Sequence, residues 1–139
     1  MKRRIALSAA LLALAAASGT APAEPLPRFA GSLLVDANGM TLYTFDKDAG
    51  GKSSCNGGCA AAWPPAAVSA DIERAKGEFT VILRDDGTLQ WAHKGRPLYR
   101  FAGDARAGEV NGDNQGRVWH VIRTGRTQET SVGTPGSSY

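Results

Sequence analysis

The feature that most constrains the fold of this chain is a ten-residue motif that occurs twice. The motif reads G-x-x-L-Y-x-F-x-x-D, first over Gly39–Asp48 and again over Gly95–Asp104, so the sequence offset between the copies is 95 − 39 = 56. The same offset aligns further pairs: Trp63 with Trp119, Gly31 with Gly87, and Leu33 with Leu89. One gap-free offset that aligns large aromatic residues and glycines is unexpected by chance, so the sequence predicts a duplicated unit.

The segment 1–23 is predicted to be a secretory signal peptide. Lys2–Arg4 give a positive start, and the apolar run Ile5–Ala17 is shorter than the roughly 20 residues that a membrane-spanning helix needs. Ala21–Ala23 is a small-residue cleavage site, so the mature chain is expected to begin at Glu24. No cysteine precedes Cys55, which leaves no N-terminal residue for a lipid and predicts a protein without a membrane anchor.

The charge of the mature chain argues against polyanionic partners. The whole sequence has 16 lysines and arginines and 13 acidic residues, but three of the basic residues belong to the signal peptide, which leaves 16 − 3 = 13 against 13. This balance gives no indication of binding to nucleic acid or to an anionic membrane surface. The mature length of 139 − 23 = 116 is suited to a single domain.

The two cysteines, Cys55 and Cys59, form a C-x-x-x-C pair around Asn-Gly-Gly. In an exported chain a structural disulfide is the favoured interpretation, because the compartment is oxidising. Covalent haem attachment needs C-x-x-C-H, whereas Ala60 follows the second cysteine. A thioredoxin-like redox pair needs C-x-x-C, and a copper or zinc site would need partners, for which only His93 and His120 are present.

The local patterns predict a mainly β fold. Six stretches have the composition of short strands: 32–36, 40–45, 79–84, 88–93, 97–101 and 118–123. Asn38–Gly39, Asp86–Gly87 and Lys94–Gly95 are predicted turns, and the Asn-Gly pair favours a type I′ hairpin turn with positive φ at both residues. Short helical turns are expected at Ala60–Trp63 and at 71–76, where a loop is the alternative.

These elements predict a compact single domain of two duplicated β-hairpin or meander units with a disulfide loop, barrel-like or sandwich-like in form. An extended leader is expected over 24–30 and the duplicated domain over 31–123, with units at about 31–66 and 87–122. Residues 124–139 lack a periodic apolar pattern and are predicted to be a disordered tail.

Several ordered motifs resemble one bacterial protein family. They are the paired motif, the C-x-x-x-C with the following Ala60–Pro65, the turn Asp86–Gln90 and the strand Trp119–Val121. Together they are similar to the secreted repeat of unknown function, also described as predicted lipoproteins with a Yx(FWY)xxD motif. That motif reads here as Tyr43–Asp48 and Tyr99–Asp104.

The resemblance covers about 31–123 and implies an exported envelope protein whose activity is not established. Many relatives resemble lipoproteins, but this chain has no N-terminal cysteine, so a soluble periplasmic or secreted protein is expected. The family supplies no catalytic residues.

The motif residues and two tryptophans are candidates for a binding site. They are Tyr43, Phe45, Asp48, Trp63, Tyr99, Phe101, Asp104 and Trp119. The aromatic residues could line a cleft for a flat ligand or a partner, or they could form a core in which each tyrosine hydroxyl is hydrogen-bonded. The two aspartates could be ligands or acids, but an aspartate after a strand more often binds turn N–H groups. The stretch 104–113 lacks the spacing of a calcium loop.

His93 and His120 are weak candidates for a transition-metal site, and a surface position is the alternative. No nucleophile elbow, phosphate-binding loop or zinc-protease motif is present. The sequence therefore favours a non-catalytic module, with no cofactor, that binds an envelope protein or a small ligand. A periplasmic redox or metal-handling protein is the alternative, followed by an enzyme.

Overall fold

The structure is a computed structural model that describes residues 26–68 and 75–125. The predicted signal peptide, residues 71–74 of the second helical turn and most of the predicted tail lie outside the described residues. Among the described residues, no helix is long and apolar enough to cross a membrane.

The described segments are mainly β. The elements are β1 (Arg28–Ala30), β2 (Leu33–Val35), β3 (Tyr43–Phe45), α1 (Gly58–Ala62), β4 (Phe79–Leu83), β5 (Leu89–His93), β6 (Arg96–Pro97), a 3-10 turn (Gln115–Arg117) and β7 (Trp119–Val121). Antiparallel pairing joins β1 with β2, β3 with β7, and β4 with β5 and then β6. The predicted mainly β, compact and duplicated domain is confirmed.

The two units meet at a pair of equivalent tyrosines. The Tyr43 amide donates to the Tyr99 carbonyl at 2.8 Å, and the Tyr99 amide donates to the Tyr43 carbonyl at 3.0 Å. Two antiparallel residues that exchange both backbone bonds are related by a local twofold axis. Because these residues are also equivalent in the repeat, the axis that relates the two units passes between them.

The repeat offset changes by one position before the motif. Leu33 pairs with Arg123 in one unit, and Gln90 pairs with Ala67 in the other. The offset between Ala67 and Arg123 is 123 − 67 = 56, but the offset between Leu33 and Gln90 is 90 − 33 = 57. The predicted equivalences of Gly31 with Gly87 and of Leu33 with Leu89 are therefore wrong.

The extra residue lies in the hairpin loop of the first unit. Gly39 has a φ of 81°, but the φ of Asn38 is not positive. A type I′ turn needs positive φ at both residues, so the turn predicted there is wrong. The Asp36 carboxylate accepts the amides of Asn38 at 2.8 Å and Met40 at 2.9 Å, which favours a longer loop. In the second unit the loop has only two residues, Lys94 and Gly95, both with positive φ.

The first strand lies within the segment that was predicted to be an extended leader. In β1, Arg28–Ala30 pairs with Leu33–Val35 of β2, and Phe29 packs against the hydrophobic core. The β domain therefore begins before residue 31, because Gly31 and the following serine form a tight turn rather than the domain boundary.

Two core clusters lie on opposite sides of the motif strands. The first contains Leu34, Leu42, Ala66, Trp91 and Leu98. The second contains Tyr43, Cys55, Trp63, Tyr99 and Trp119. Adjacent strand residues face opposite ways, so the consecutive Leu and Tyr of each motif copy supply one side chain to each cluster.

The predicted disulfide between Cys55 and Cys59 is confirmed, with the two Cα atoms 5.2 Å apart. The buried Arg84 guanidinium holds this loop in place. It donates to the Cys55 carbonyl at 2.7 Å, to Ser53 Oγ at 2.9 Å and to Gln90 Oε1 at 2.7 Å. No carboxylate of the described residues forms an ion pair with Arg84. Its charge is instead offset by neutral oxygen acceptors.

Candidate functional site

The motif aromatic residues form a column of four rings, here called the aromatic column: Phe45, Trp119, Trp63 and Phe101. The two indoles stack at the centre, with centroids 3.8 Å apart and planes 3° apart. Each phenylalanine packs on the tryptophan next to it, at 4.1 Å for Phe45 on Trp119 and 4.4 Å for Phe101 on Trp63. In each of these pairs the tryptophan and the phenylalanine belong to different repeats, so the column joins the two units.

The motif tyrosines and aspartates are also paired between the units. The Tyr43 hydroxyl donates to Asp104 Oδ2 at 2.6 Å, and the Tyr99 hydroxyl donates to Asp48 Oδ2 at 2.7 Å. The phenol rings then contact the indoles edge-on, Tyr43 against Trp63 at 5.3 Å. The tyrosine and the aspartate of each motif copy are therefore hydrogen-bonded to the aspartate and the tyrosine of the other copy, which explains why both residues recur at the same spacing.

Both aspartates also bind turn amides. Asp104 Oδ1 accepts the Asn111 amide at 2.9 Å, and Asp48 Oδ1 accepts the Ser54 amide at 2.7 Å. Burial raises the pKa of both motif tyrosines above the usual value near 10, and the neighbouring carboxylates add to the rise. The phenols therefore act as neutral hydrogen-bond donors.

The eight sequence-predicted binding residues thus contact one another. The tyrosines and tryptophans are buried, and the phenylalanines at the ends of the column are half-buried. The two aspartates do not meet, since each is bonded to a different tyrosine. This arrangement packs the two units against each other in the second core cluster.

The two histidines are brought together at a surface depression of about 660 Å³, here called the histidine groove. It is lined by Phe29, Thr44, Glu78, His93, Lys94, Arg96, His120, Val121, Ile122, Arg123, Thr124 and Gly125. The sides come from the hairpin of β5 and β6 and from β7. Trp119 points into the core, so the next residue on the strand, His120, faces the groove.

A carboxylate next to the groove is shared between a histidine and an arginine of its lining. Asp46 Oδ2 lies 2.7 Å from His120 Nε2, and Asp46 Oδ1 accepts from an Arg96 nitrogen at 3.0 Å. Asp46 belongs to the first unit, whereas both of its partners belong to the second. The contact fixes the imidazole by one nitrogen and orients the guanidinium.

A second carboxylate, in the lining itself, has a similar arrangement. Glu78 Oε2 lies 3.1 Å from His93 Nε2, and Glu78 Oε1 lies 3.2 Å from Lys94 Nζ. Hydrogen bonds from Lys94 and then from His93 lower the pKa of Glu78. The His93 ring is buried beside Phe79, with centroids 5.0 Å apart. Glu78 therefore carries a negative charge that balances part of the basic lining.

The repeat supplies a natural comparison for this groove. A second depression of about 200 Å³, the counterpart groove, is lined by Pro27, Asp36, Ala37, Asn38, Pro64, Pro65, Ala66, Ala67, Trp91 and Arg100. At the offset of 56, Pro64 stands where His120 lies, and Ala67 stands where Arg123 lies. The two grooves therefore occupy equivalent places in the scaffold, but only the histidine groove carries the imidazoles and most of the cations.

Sequence reasoning singled out the histidines but missed Asp46, Glu78, Arg96 and Arg123. A usable signal was present in the repeat itself. The motif residues and the column tryptophans are identical in the two copies, whereas His120 and Arg123 stand where the first copy has Pro64 and Ala67. Positions where duplicated units differ in charge are candidates for a function that only one unit performs.

Comparison with family models identifies the chain by its repeated units. The family described as a secreted repeat of unknown function matches residues 27–67 and 80–123, one match for each unit. The chain belongs to this family. Comparison with curated proteins and with solved structures gave no match. The two matched segments of the secreted repeat contain both motif copies, both column tryptophans and both histidines.

Proposed function

We propose that this secreted-repeat protein is a non-catalytic binding module that holds a small ligand in the histidine groove. The observation that carries the proposal is the convergence of His93 and His120, the only two histidines in the sequence, on one depression. The equivalent positions in the counterpart groove hold Pro64 and Asp36, neither of which is an imidazole. In this proposal the aromatic column and the tyrosine–aspartate pairs serve as the scaffold.

The size and composition of the groove support this proposal. Small-molecule sites in proteins usually have volumes of about 300–1,000 Å³ and combine apolar walls with a few oriented polar groups. The groove has about 660 Å³ with Phe29, Val121 and Ile122 on its apolar side. Its polar groups are already oriented by Asp46 and Glu78, so little ordering is needed when a ligand binds.

The redox or metal-handling alternative has less support. Both histidine Nε2 atoms contact carboxylates, and residues 26–68 and 75–125 contain no group of three or more potential metal-binding side chains. The disulfide lies on the second core cluster rather than among the groove residues. Cysteines and histidines therefore do not form a common centre.

We also propose that the chain acts outside the cytoplasm, in the periplasm or the medium, after cleavage following Ala23. The proposal is supported by the positively charged start, the short apolar run and the small-residue site at the N-terminus, and by membership of a secreted family. N-terminal sequencing of the exported protein tests the cleavage site. An uncleaved chain would contradict it.

The binding proposal is tested by NMR on the chain from Glu24 to Tyr139, titrated with a library of small metabolites. The ring signals of the histidines are assigned with His93→Gln and His120→Gln. A true ligand shifts both ring signals and binds more weakly to either variant, whereas Asn38→Ser in the counterpart groove leaves binding unchanged. Ligands that move only signals outside the histidine groove would overturn the proposal.

A further inference from the structure

We infer that the ligand of the histidine groove is a small oxyanion, a compound with a phosphate or carboxylate group. This inference rests on the proposed function, because it assigns a chemical class to the ligand of the same site. It follows from the charge and the free donor capacity of the groove, which are distinct from the convergence of the histidines.

The charge of the groove is positive even with neutral histidines. The lining residues Lys94, Arg96 and Arg123 supply three positive charges and Glu78 supplies one negative charge. Asp46, which lies outside the lining but contacts Arg96, supplies a second negative charge, so the sum is 3 − 2 = +1. Protonation of the imidazoles adds to this charge. The mature chain as a whole is balanced at 13 against 13, so the excess at the groove reflects local placement. A partly enclosed, positively charged depression raises the local concentration of anions.

The basic groups have unused donors. Asp46 and Glu78 each contact one histidine and one lysine or arginine. Arg96 donates to Asp46 through one nitrogen, and a guanidinium has five N–H donors, so further donors of Arg96 are available to a ligand. Arg123 forms no ion pair with any carboxylate of the described segments. Its guanidinium matches the paired oxygens of a phosphate or carboxylate.

The counterpart groove lacks this charge pattern and serves as an internal reference. There Arg100 lies 3.5 Å from Asp36, which offsets its charge, and Ala67 occupies the position of Arg123. The duplication therefore placed a cationic lining on one of two equivalent grooves. Binding of a neutral ligand would not require this extra positive charge, whereas binding of an anion is strengthened by it.

The experiment titrates the mature protein with inorganic phosphate and with citrate, using glycerol as the uncharged probe. Vesicles of phosphatidylglycerol, compared with phosphatidylcholine, test whether the oxyanion belongs to a lipid headgroup. Binding is followed by the ring signals of His93 and His120. The variants are Arg123→Gln and the exposed Lys94→Gln, with Arg106→Gln as a matched control away from the groove.

We expect phosphate or citrate to shift the ring signals in a saturable way that added salt weakens. Arg123→Gln weakens binding by about tenfold, the loss expected for one charge-assisted contact, and Arg106→Gln leaves it unchanged. A response to phosphatidylglycerol vesicles alone, lost in the same variant, supports the oxyanion and assigns it to a lipid.

Two results overturn the inference alone. The first is saturable binding of an uncharged or cationic metabolite at the histidines with no response to any anion, which leaves the proposed function intact. The second is anion binding that is equally strong in Arg123→Gln and Lys94→Gln. If neither the anions nor the metabolite library moves the histidine signals, the proposed function fails together with the inference.

Discussion

The hydroxyl of Tyr43 donates a hydrogen bond of 2.6 Å to the carboxylate of Asp104, 61 residues further along the chain in the other repeat. Tyr99 and Asp48 make the reciprocal bond at 2.7 Å. Neither unit satisfies its own motif, so the shared spacing within each copy serves the contact between the copies. A single unit of this kind would leave the tyrosine hydroxyl without its carboxylate acceptor.

The two reciprocal bonds are predicted to differ in their contribution to stability. Asp104 is 7 % exposed, whereas Asp48 is half-buried and water can replace a lost contact there. In Asp104→Asn, the side-chain NH2 must face either the Tyr43 hydroxyl or the backbone N–H of Asn111, and each of these groups donates a hydrogen bond to Asp104. We expect Asp104→Asn to lower the free energy of unfolding by about 2–3 kcal/mol and Asp48→Asn by about 1 kcal/mol.

The measurement is urea unfolding followed by tryptophan fluorescence. Tyr43→Phe serves as a second variant, because it removes the donor and keeps the ring in the second core cluster. Equal losses for the two asparagine variants would show that burial does not decide the difference.

Alkaline pH is predicted to destabilise the domain through the same tyrosines. Burial and the adjacent carboxylates raise the pKa of Tyr43 and Tyr99 in the folded state above the unfolded value near 10. The folded state therefore retains protons that the unfolded chain releases. Stability is intact below about pH 10 and falls as the pH rises from there toward the folded pKa.

Near-ultraviolet absorbance of tyrosinate in a Tyr139→Phe variant isolates the two buried phenols. We expect no ionisation near pH 10 in the folded protein, whereas in urea both tyrosines titrate with a midpoint near pH 10. Titration of either phenol near pH 10 without unfolding would contradict the buried position of the hydroxyl.

The close approach of a loop to the aromatic column gives a third prediction. A Cβ atom on Gly112 would lie 2.6 Å from Trp63 Cη2 and 3.0 Å from Phe101 Cγ, so Gly112→Ala forces the rings apart. We expect a loss of about 1–3 kcal/mol, as for other overpacked cores. The control is Gly58→Ala in α1, where nothing lies within 4 Å of the added atom and stability should be unchanged or slightly higher.

Thermal unfolding of both variants makes the comparison, and near-ultraviolet circular dichroism reports the stacked indoles. A Gly112→Ala protein with wild-type stability and an unchanged indole signal would mean that the loop can move away from the column at no cost.

The duplication, the mainly β class and the disulfide could be predicted from sequence because they depend on local patterns. The motif fixes residue identity at one offset, and strand alternation places Leu42 and Tyr43 on opposite faces. The change of offset before the motif could not be predicted. It depends on the Asp36 carboxylate, which favours a three-residue loop although Asn38–Gly39 matches the pattern of a two-residue turn.

The groove could not be predicted because its groups meet only in three dimensions. Asp46 is separated by 50 residues from Arg96 and by 74 residues from His120. No linear spacing encodes such a contact, and each of the residues taken alone is an ordinary surface residue. The local signs of it were the differences between the duplicated units at His120 and Pro64 and at Arg123 and Ala67.

The disulfide is predicted to stabilise the domain without contributing to the groove. Cys55 and Cys59 close a very short loop, so reduction is expected to lower the free energy of unfolding by about 2 kcal/mol in the chain-entropy model. Arg84 continues to bind the Cys55 carbonyl after reduction, so the loop keeps its position. We expect reduction to add two hydrogens to the intact mass and to leave the ring signals of both histidines in place. Ring signals that shift on reduction would instead connect the cysteine pair with the groove and restore the redox interpretation of this protein.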